Sequence, residues 1–233
     1  TIMKSVEILG INVYPYLNFE DLINDAVKQK KMLLSVNAEI LLKSDAELRE
    51  IYNNNIGYAD GIGAVMALNK KKVQAVKLPG CELWLKIVER FANSDKTFYI
   101  VGSTDAVINK TIAQLKEKFP NLKIAGYRNG YLNDTDVEKL EQNIERLKPD
   151  FVFIAMGMPK QEKLMARLYN KHRAVYLGLG GSFDVFTGNV KRAPKWWIDH
   201  KIEFAYRLLK QPSRIKRQLP LIKFYLMVKL GKI

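Results

Sequence analysis

The chain has 233 residues, 48% of them hydrophobic, and a single cysteine, Cys81. That length suits one moderate domain, or one domain with an appendage, and a lone cysteine excludes an internal disulfide framework. The net charge of +14 is uneven: residues 190–233 hold 12 Lys or Arg against only Asp199 and Glu203, while residues 1–189 hold the other 26 basic and 22 acidic residues. Such a basic tail is suited to an anionic partner such as nucleic acid, lipid head groups or phosphates. Thr1 to Glu7 lack a charged-then-apolar leader pattern, and the apolar runs are short and broken by Gly, Lys or Pro, so the expectation is a cytoplasmic protein without a bilayer-spanning helix.

In chain order, the sequence predicts β-like runs over Val6–Val13, Met32–Val36, Thr97–Gly102, Leu122–Tyr127, Phe151–Gly157 and Ala174–Gly178. Phe98-Tyr-Ile-Val-Gly and Phe151-Val-Phe-Ile-Ala-Met are continuously apolar between turns, as strands buried on both faces are. Helical patterns fall between them, over Phe19–Lys30, Asp45–Asn53, Cys81–Ala92, Asp105–Phe119, Thr135–Leu147 and Lys160–Lys171, with Thr104 and Asp134 as N-caps. The alternation predicts an α/β fold with a doubly wound, Rossmann-like, largely parallel sheet over residues 1–189. From Pro194 the strand signal ends. Pro194–Lys210 and Ser213–Lys229 read as two helices separated at Pro212, forming a basic appendage over 190–233. The second mixes Ile215, Leu219, Ile222, Phe224, Leu226 and Met227 with Arg214, Lys216, Arg217, Lys223 and Lys229, a pattern suited to a membrane interface. The alternative is a helix docked on the core with a solvated basic face.

Candidate chemistry gathers at strand ends, where open α/β sheets bind ligands. Asp60, in Gly57-Tyr-Ala-Asp-Gly-Ile-Gly63, is a candidate general base or, alternatively, a helix cap. Ser35 and Asn37 end another strand. Asn37 is a candidate sugar ligand or a cap, and Glu39 is read as a salt-bridge partner. Gly157-Met-Pro-Lys160-Gln161-Glu162 offers free amides, a cation and an amide side chain for a phosphate-bearing ligand, against the alternative of a tight strand-to-helix turn. Gly180, Gly181 and Asp184 lie in a further glycine turn that lacks the dinucleotide spacing, and Gly102-Ser-Thr-Asp lacks a Walker lysine, so neither NAD nor ATP is favoured as cofactor. Asp134-Thr-Asp136 spells D-x-D but stands at a helix start, where capping accounts for it. His172 and His200 lack metal-ligand spacing with Cys81, so no metal site is expected. Arg207, Arg214 and Arg217 are suited to forked contacts with phosphate oxygens, or else face solvent and lipid.

Six segments, in order, resemble the WecG/TagA/CpsF glycosyltransferases, glycosyltransferase family 26. They are Asn37-Ala-Glu, Tyr58-Ala-Asp-Gly-Ile, Gly157-Met-Pro-Lys-Gln-Glu, Gly180-Gly-Ser-Phe-Asp-Val-Phe-Thr-Gly, Val190-Lys-Arg-Ala-Pro, and Tyr206-Arg through Pro212-Ser-Arg-Ile-Lys-Arg. The resemblance runs from about Val6 to about Leu221. It implies inverting, metal-independent transfer from a UDP-N-acetylmannosamine-type donor to the 4-hydroxyl of GlcNAc-diphospho-undecaprenyl, and an appendage that docks at the membrane and closes the site. It further implies Asp60 as base, Ser35 at a position often held by Thr, Gln161 as a pocket glutamine, and Arg207, Arg214 and Arg217 as grips on the diphosphate. Tyr58-Ala-Asp-Gly and Gln211-Pro-Ser-Arg-Ile-Lys-Arg-Gln-Leu lean toward the WecG-like branch, which uses the uronate donor for enterobacterial common antigen; other branches serve teichoic acid linkage or capsule. The implied partners are thus a UDP-sugar, a lipid-linked acceptor and the inner face of the cytoplasmic membrane. Self-association is left open, and no helix-turn-helix, zinc-finger or RNP signature supports nucleic acid as a partner. A nucleotide-dependent oxidoreductase and an idle membrane scaffold are the remaining rival readings.

Overall fold

A computed structural model describes residues 3–200, 203–210 and 215–233. It opens on an antiparallel hairpin, β1 (Val6–Ile8) and β2 (Ile11–Val13), not on the single run predicted over Val6–Val13. Leu9 and Gly10 both adopt positive φ, 50° and 81°, which is what a two-residue hairpin turn matched to strand twist requires. The alternating part follows as α1 (Phe19–Gln29), β3 (Met32–Val36), α2 (Ala38–Lys43), α3 (Ala46–Asn53), β4 (Ile56–Ala59), α4 (Ile62–Lys70) and α5 (Gly80–Phe91). It continues as β5 (Thr97–Gly102), α6 (Asp105–Lys118), β6 (Lys123–Arg128), α7 (Asp134–Leu147), β7 (Phe151–Ala155), α8 (Lys160–Lys171), β8 (Val175–Gly178) and α9 (Ser182–Phe186). The C-terminal region is helical: α10 (Lys195–Asp199), α11 (Glu203–Lys210) and α12 (Ile215–Lys229).

Strands β3 to β8 form one six-stranded sheet, parallel throughout, in the order β4-β3-β8-β7-β5-β6. The hairpin flanks its β4 edge, where Tyr14 N–H donates to Gly57 O at 2.8 Å. Central strands are apolar on both sides because each side chain row enters a different core. Met32, Leu34 and Val36 join one apolar cluster and Leu33 the other; Val152 and Ile154 join the first, Phe151, Phe153 and Ala155 the second. Phe153 is fully buried edge-on to Trp84, with ring centroids 6.1 Å apart, so Phe153→Ala is expected to cost roughly 3–5 kcal/mol.

Local signals set the helix starts. Asn18 caps α1 and Thr104 caps α6, each accepting a backbone N–H with its side chain. At α7 the cap is Asn133, not the predicted Asp134, and Asp136 completes a capping box with it. The helix predicted over Pro194–Lys210 is in fact α10 and α11. His200 ends α10, its ring nitrogen 2.7 Å from the Trp196 carbonyl. On α12, Phe224 and Val228 are buried in the same apolar cluster as α2 and α4, so one face of the last helix docks on the core. Among the described residues no helix is long and apolar enough to cross a membrane.

Candidate active site

Because all six strands run parallel, their C-terminal ends share one edge of the sheet, and Asp60, Ser35, Asn37, Lys160, Gln161, Gly180, Gly181 and Asp184 stand at or just beyond it, whereas Glu39 lies on α2 and His172 at the opposite edge. Helices α2 and α3, which follow β3, pack into the first apolar cluster, whereas α9, which follows the neighbouring β8, contributes Phe183 to the second. Chain leaving adjacent strands toward opposite faces opens a crevice, the usual ligand position in such sheets.

Asp60 follows β4 directly. It does not cap α4, whose N-cap is Gly61. Instead its Oδ1 accepts the backbone N–H of Gly80 at 2.6 Å, at the first residue of the twelve-residue α5. Anchoring one oxygen on a backbone N–H fixes where the other points. Gly80 permits this approach: a Cβ there would lie 2.9 Å from the Tyr58 hydroxyl and 3.7 Å from Asp60 Oδ1. Tyr58 is fully buried with its hydroxyl without a hydrogen-bond partner, and burial, followed by the Asp60 charge, pushes that phenol well above its ordinary range.

The two glycine turns beyond β7 and β8 are joined by Gln161. Its Oε1 accepts from Gly180 N at 2.9 Å, Gly157 N at 3.1 Å and Met156 N at 3.4 Å, and its Nε2 donates to Glu162 Oε1 at 2.9 Å. Gln161 is 2% exposed, so it bears on the crevice through the turns it holds. Gly157 and Gly180 adopt φ of 80° and 52°, and a Cβ on either, or on Gly181, would meet nothing within 4 Å. These backbones thus face open space, in conformations that side chains resist. Lys160, the first residue of α8, is exposed beside them. Asp184 on α9 accepts from Ser103 Oγ at 3.2 Å, bringing the β5 turn to the same edge.

Other expectations resolve structurally. Asn37 caps α2, its side chain accepting from Ile40 N at 3.0 Å, and Glu39 pairs with Lys43 at 3.3 Å. Ser35 lies in β3 opposite Tyr58 and accepts the Tyr52 hydroxyl through its carbonyl at 2.9 Å. Asp136 pairs with Arg128 at 3.3 Å, and the Asn133 amide together with that guanidinium holds its carboxyl below the usual range. Among the described residues no group of three or more His, Cys, Asp or Glu is placed to hold a metal.

Arg192, quoted in sequence only as part of a motif, proves central to the join with the appendage. It donates to Glu82 at 2.7 Å and faces Glu203 of α11 at 3.7 Å, while Lys77 reaches Glu203 at 3.2 Å. Glu203 is 7% exposed. Lys77 and Glu82 flank Gly80 in the chain, so these ion pairs tie Arg192 and α11 to the segment that anchors Asp60. Arg207 and Arg217 fall on α11 and α12 with side chains outside the described part, and Arg214 lies outside the described residues. Gly80 and Arg192 escaped the sequence reading because a lone glycine before a helix and an arginine in a basic tail carry no spacing signal.

A solved structure described as unliganded arylmalonate decarboxylase shares 11% identity with this chain, covering 73% of this chain and 74% of that one, with a TM-score of 0.28. The family model described as the glycosyl transferase WecG/TagA/CpsF family matches residues 6–232. With nearly its whole length matched, the chain belongs to the WecG/TagA/CpsF family and is a glycosyltransferase.

Proposed function

We propose that the enzyme transfers N-acetylmannosamine, or its uronate, from the UDP-sugar to the 4-hydroxyl of a GlcNAc-diphospho-undecaprenyl acceptor, with inversion and without a metal. The observation that carries the reading is Asp60, a carboxylate anchored through one oxygen at a helix start and set on the open edge of the sheet. The acceptor oxygen attacks the anomeric carbon and forms the new C–O bond. The bond from that carbon to the β-phosphate oxygen breaks, UDP leaves with the electron pair, and Asp60 takes the hydroxyl proton. The N–H groups of Gly157 and Gly180 are taken by Gln161 rather than left free as the sequence suggests, so it is the open face of the turns at Gly157, Gly180 and Gly181, with Lys160 and Asp184 beside them, that is assigned to the nucleotide-sugar. Exposed Tyr131, just beyond β6, offers a ring for a base to stack on. Arg207, Arg214 and Arg217 are assigned to the departing diphosphate, where a guanidinium fork can do a metal's electrostatic work.

The acceptor's lipid assigns the appendage a second task. Trp196, Leu209, Ile222, Tyr225, Leu226 and Leu230 are exposed among lysines of the C-terminal region, the mixture that suits peripheral docking on an anionic bilayer. The test is transfer to a GlcNAc-diphospho-lipid in EDTA, with UDP-N-acetylmannosamine and its uronate offered separately. Turnover with one donor, lost with vesicle binding when residues from 190 onward are removed, is expected. Activity only with added manganese would overturn the metal-free reading, and undiminished transfer by the truncated chain would overturn the appendage's role.

A further inference from the structure

Glu162 is a buried carboxyl that no step above uses. It is 1% exposed, on the first turn of α8; Oε1 accepts from Gln161, and Oε2 has no hydrogen-bond partner. A charged or polar group in that setting costs stability unless it does something in return.

Its neighbour shows what that is. Three backbone N–H groups, those of Met156, Gly157 and Gly180, converge on one end of the Gln161 side chain, and only an oxygen satisfies them. The other end must then be the amide NH2, which needs an acceptor inside the protein. Glu162 is that acceptor, so its carboxyl holds the Gln161 amide in the orientation that the three N–H groups require. Turned over, the amide would set donors against donors, and the two turns would part.

We propose that Glu162 is a positioning residue for the nucleotide-sugar: acting through Gln161, it fixes the spacing of the Gly157 and Gly180 turns so that their open backbones form one cradle. The inference rests on the donor reading above for its ligand, but not for its structural half. It does not make Glu162 a catalytic residue, because its carboxyl is buried and acts through Gln161.

The experiment compares Glu162→Gln, which keeps an oxygen for the Gln161 NH2, with Glu162→Leu, which keeps the bulk and removes the acceptor. UDP affinity is measured by calorimetry, and hydrogen exchange of the Gly157 and Gly180 amides by NMR, in folded protein of each variant. Glu162→Leu is expected to weaken UDP about tenfold or more and to speed exchange at both amides, with Glu162→Gln within about twofold of the parent on both readouts. A merely structural role would lower the melting temperature and leave UDP affinity of the folded protein unchanged, which would overturn the proposal. So would equal weakening by both variants. If the parent chain binds no UDP, the donor reading fails, and amide exchange alone decides the positioning role: unchanged exchange in Glu162→Leu would overturn it.

Discussion

The two ends of the parallel sheet are built oppositely. At the N-terminal edge the helices α1, α7 and α8 terminate, directing carbonyl ends toward the strand starts. Lys30 and Lys148 close two of them in the left-handed conformation, both at φ of 48°. Lys30, Lys96, Lys148, His172 and Arg173 line a cavity of about 300 Å³ there, with Asp150 among them. Cations at helix C-termini answer the negative dipole end, and Asp150 is engaged by Lys96 at 2.9 Å and Thr97 N at 3.0 Å. At that edge the carboxylate already has its partners within the chain. The C-terminal edge presents open glycine backbones, an anchored carboxylate and buried polar atoms without partners. The lesson is that positive charge alone does not mark the site; open backbone beside an anchored carboxylate does.

The largest expected effect is at the active edge. Asp60→Asn keeps an acceptor for Gly80 N–H but cannot take a proton, so kcat should fall by about 10²–10⁴ with little change in melting temperature. At the opposite edge, Asp150→Ala should cost roughly 1–2 kcal/mol of stability by denaturant unfolding while leaving kcat of the folded enzyme unchanged. A loss of activity without loss of stability there would break the contrast. Smaller still, Asn133→Ala removes the α7 cap and should cost about 1 kcal/mol, again without effect on transfer.

Acidity sharpens the contrast by sign. Burial pushes the Glu162 carboxyl up, beyond what its hydrogen bonds to Gln161 and its own amide take back. Its contribution to stability is therefore present at low pH and lost as pH rises through its folded value. For Asp150 burial also raises, but the Thr97 amide and Lys96 outweigh it and hold the carboxyl low, so its contribution is present at neutral pH and lost as pH falls. Glu162→Gln should accordingly gain melting temperature over the parent as pH increases, and Asp150→Asn should converge on the parent as pH decreases.

Much of this was legible in sequence, for physical reasons. The apolar runs at Phe98 and Phe151 match β5 and β7 because a strand buried on both faces leaves no polar alternation. Lys160–Lys171 matches α8 residue for residue, with a clear amphipathic period. By contrast α4 was missed: Ile62 to Leu68 are almost all apolar, so no polar face marks the period. Asp60 was legible as a strand-end carboxylate, but its partner was not, because Gly80 is brought to it by the fold across 20 residues. Gln161 was legible as polar and near a turn; that it faces inward to join two turns depends on Gly180, which belongs to the next βα unit.

The most direct test is hydrogen exchange of the full chain by mass spectrometry with and without UDP. Slowed exchange over residues 156–163 and 178–186, with no change over 147–151 and 172–175, is the predicted result. Protection at the latter segments instead would place the nucleotide in the lysine-lined cavity and contradict the assignment of the active edge.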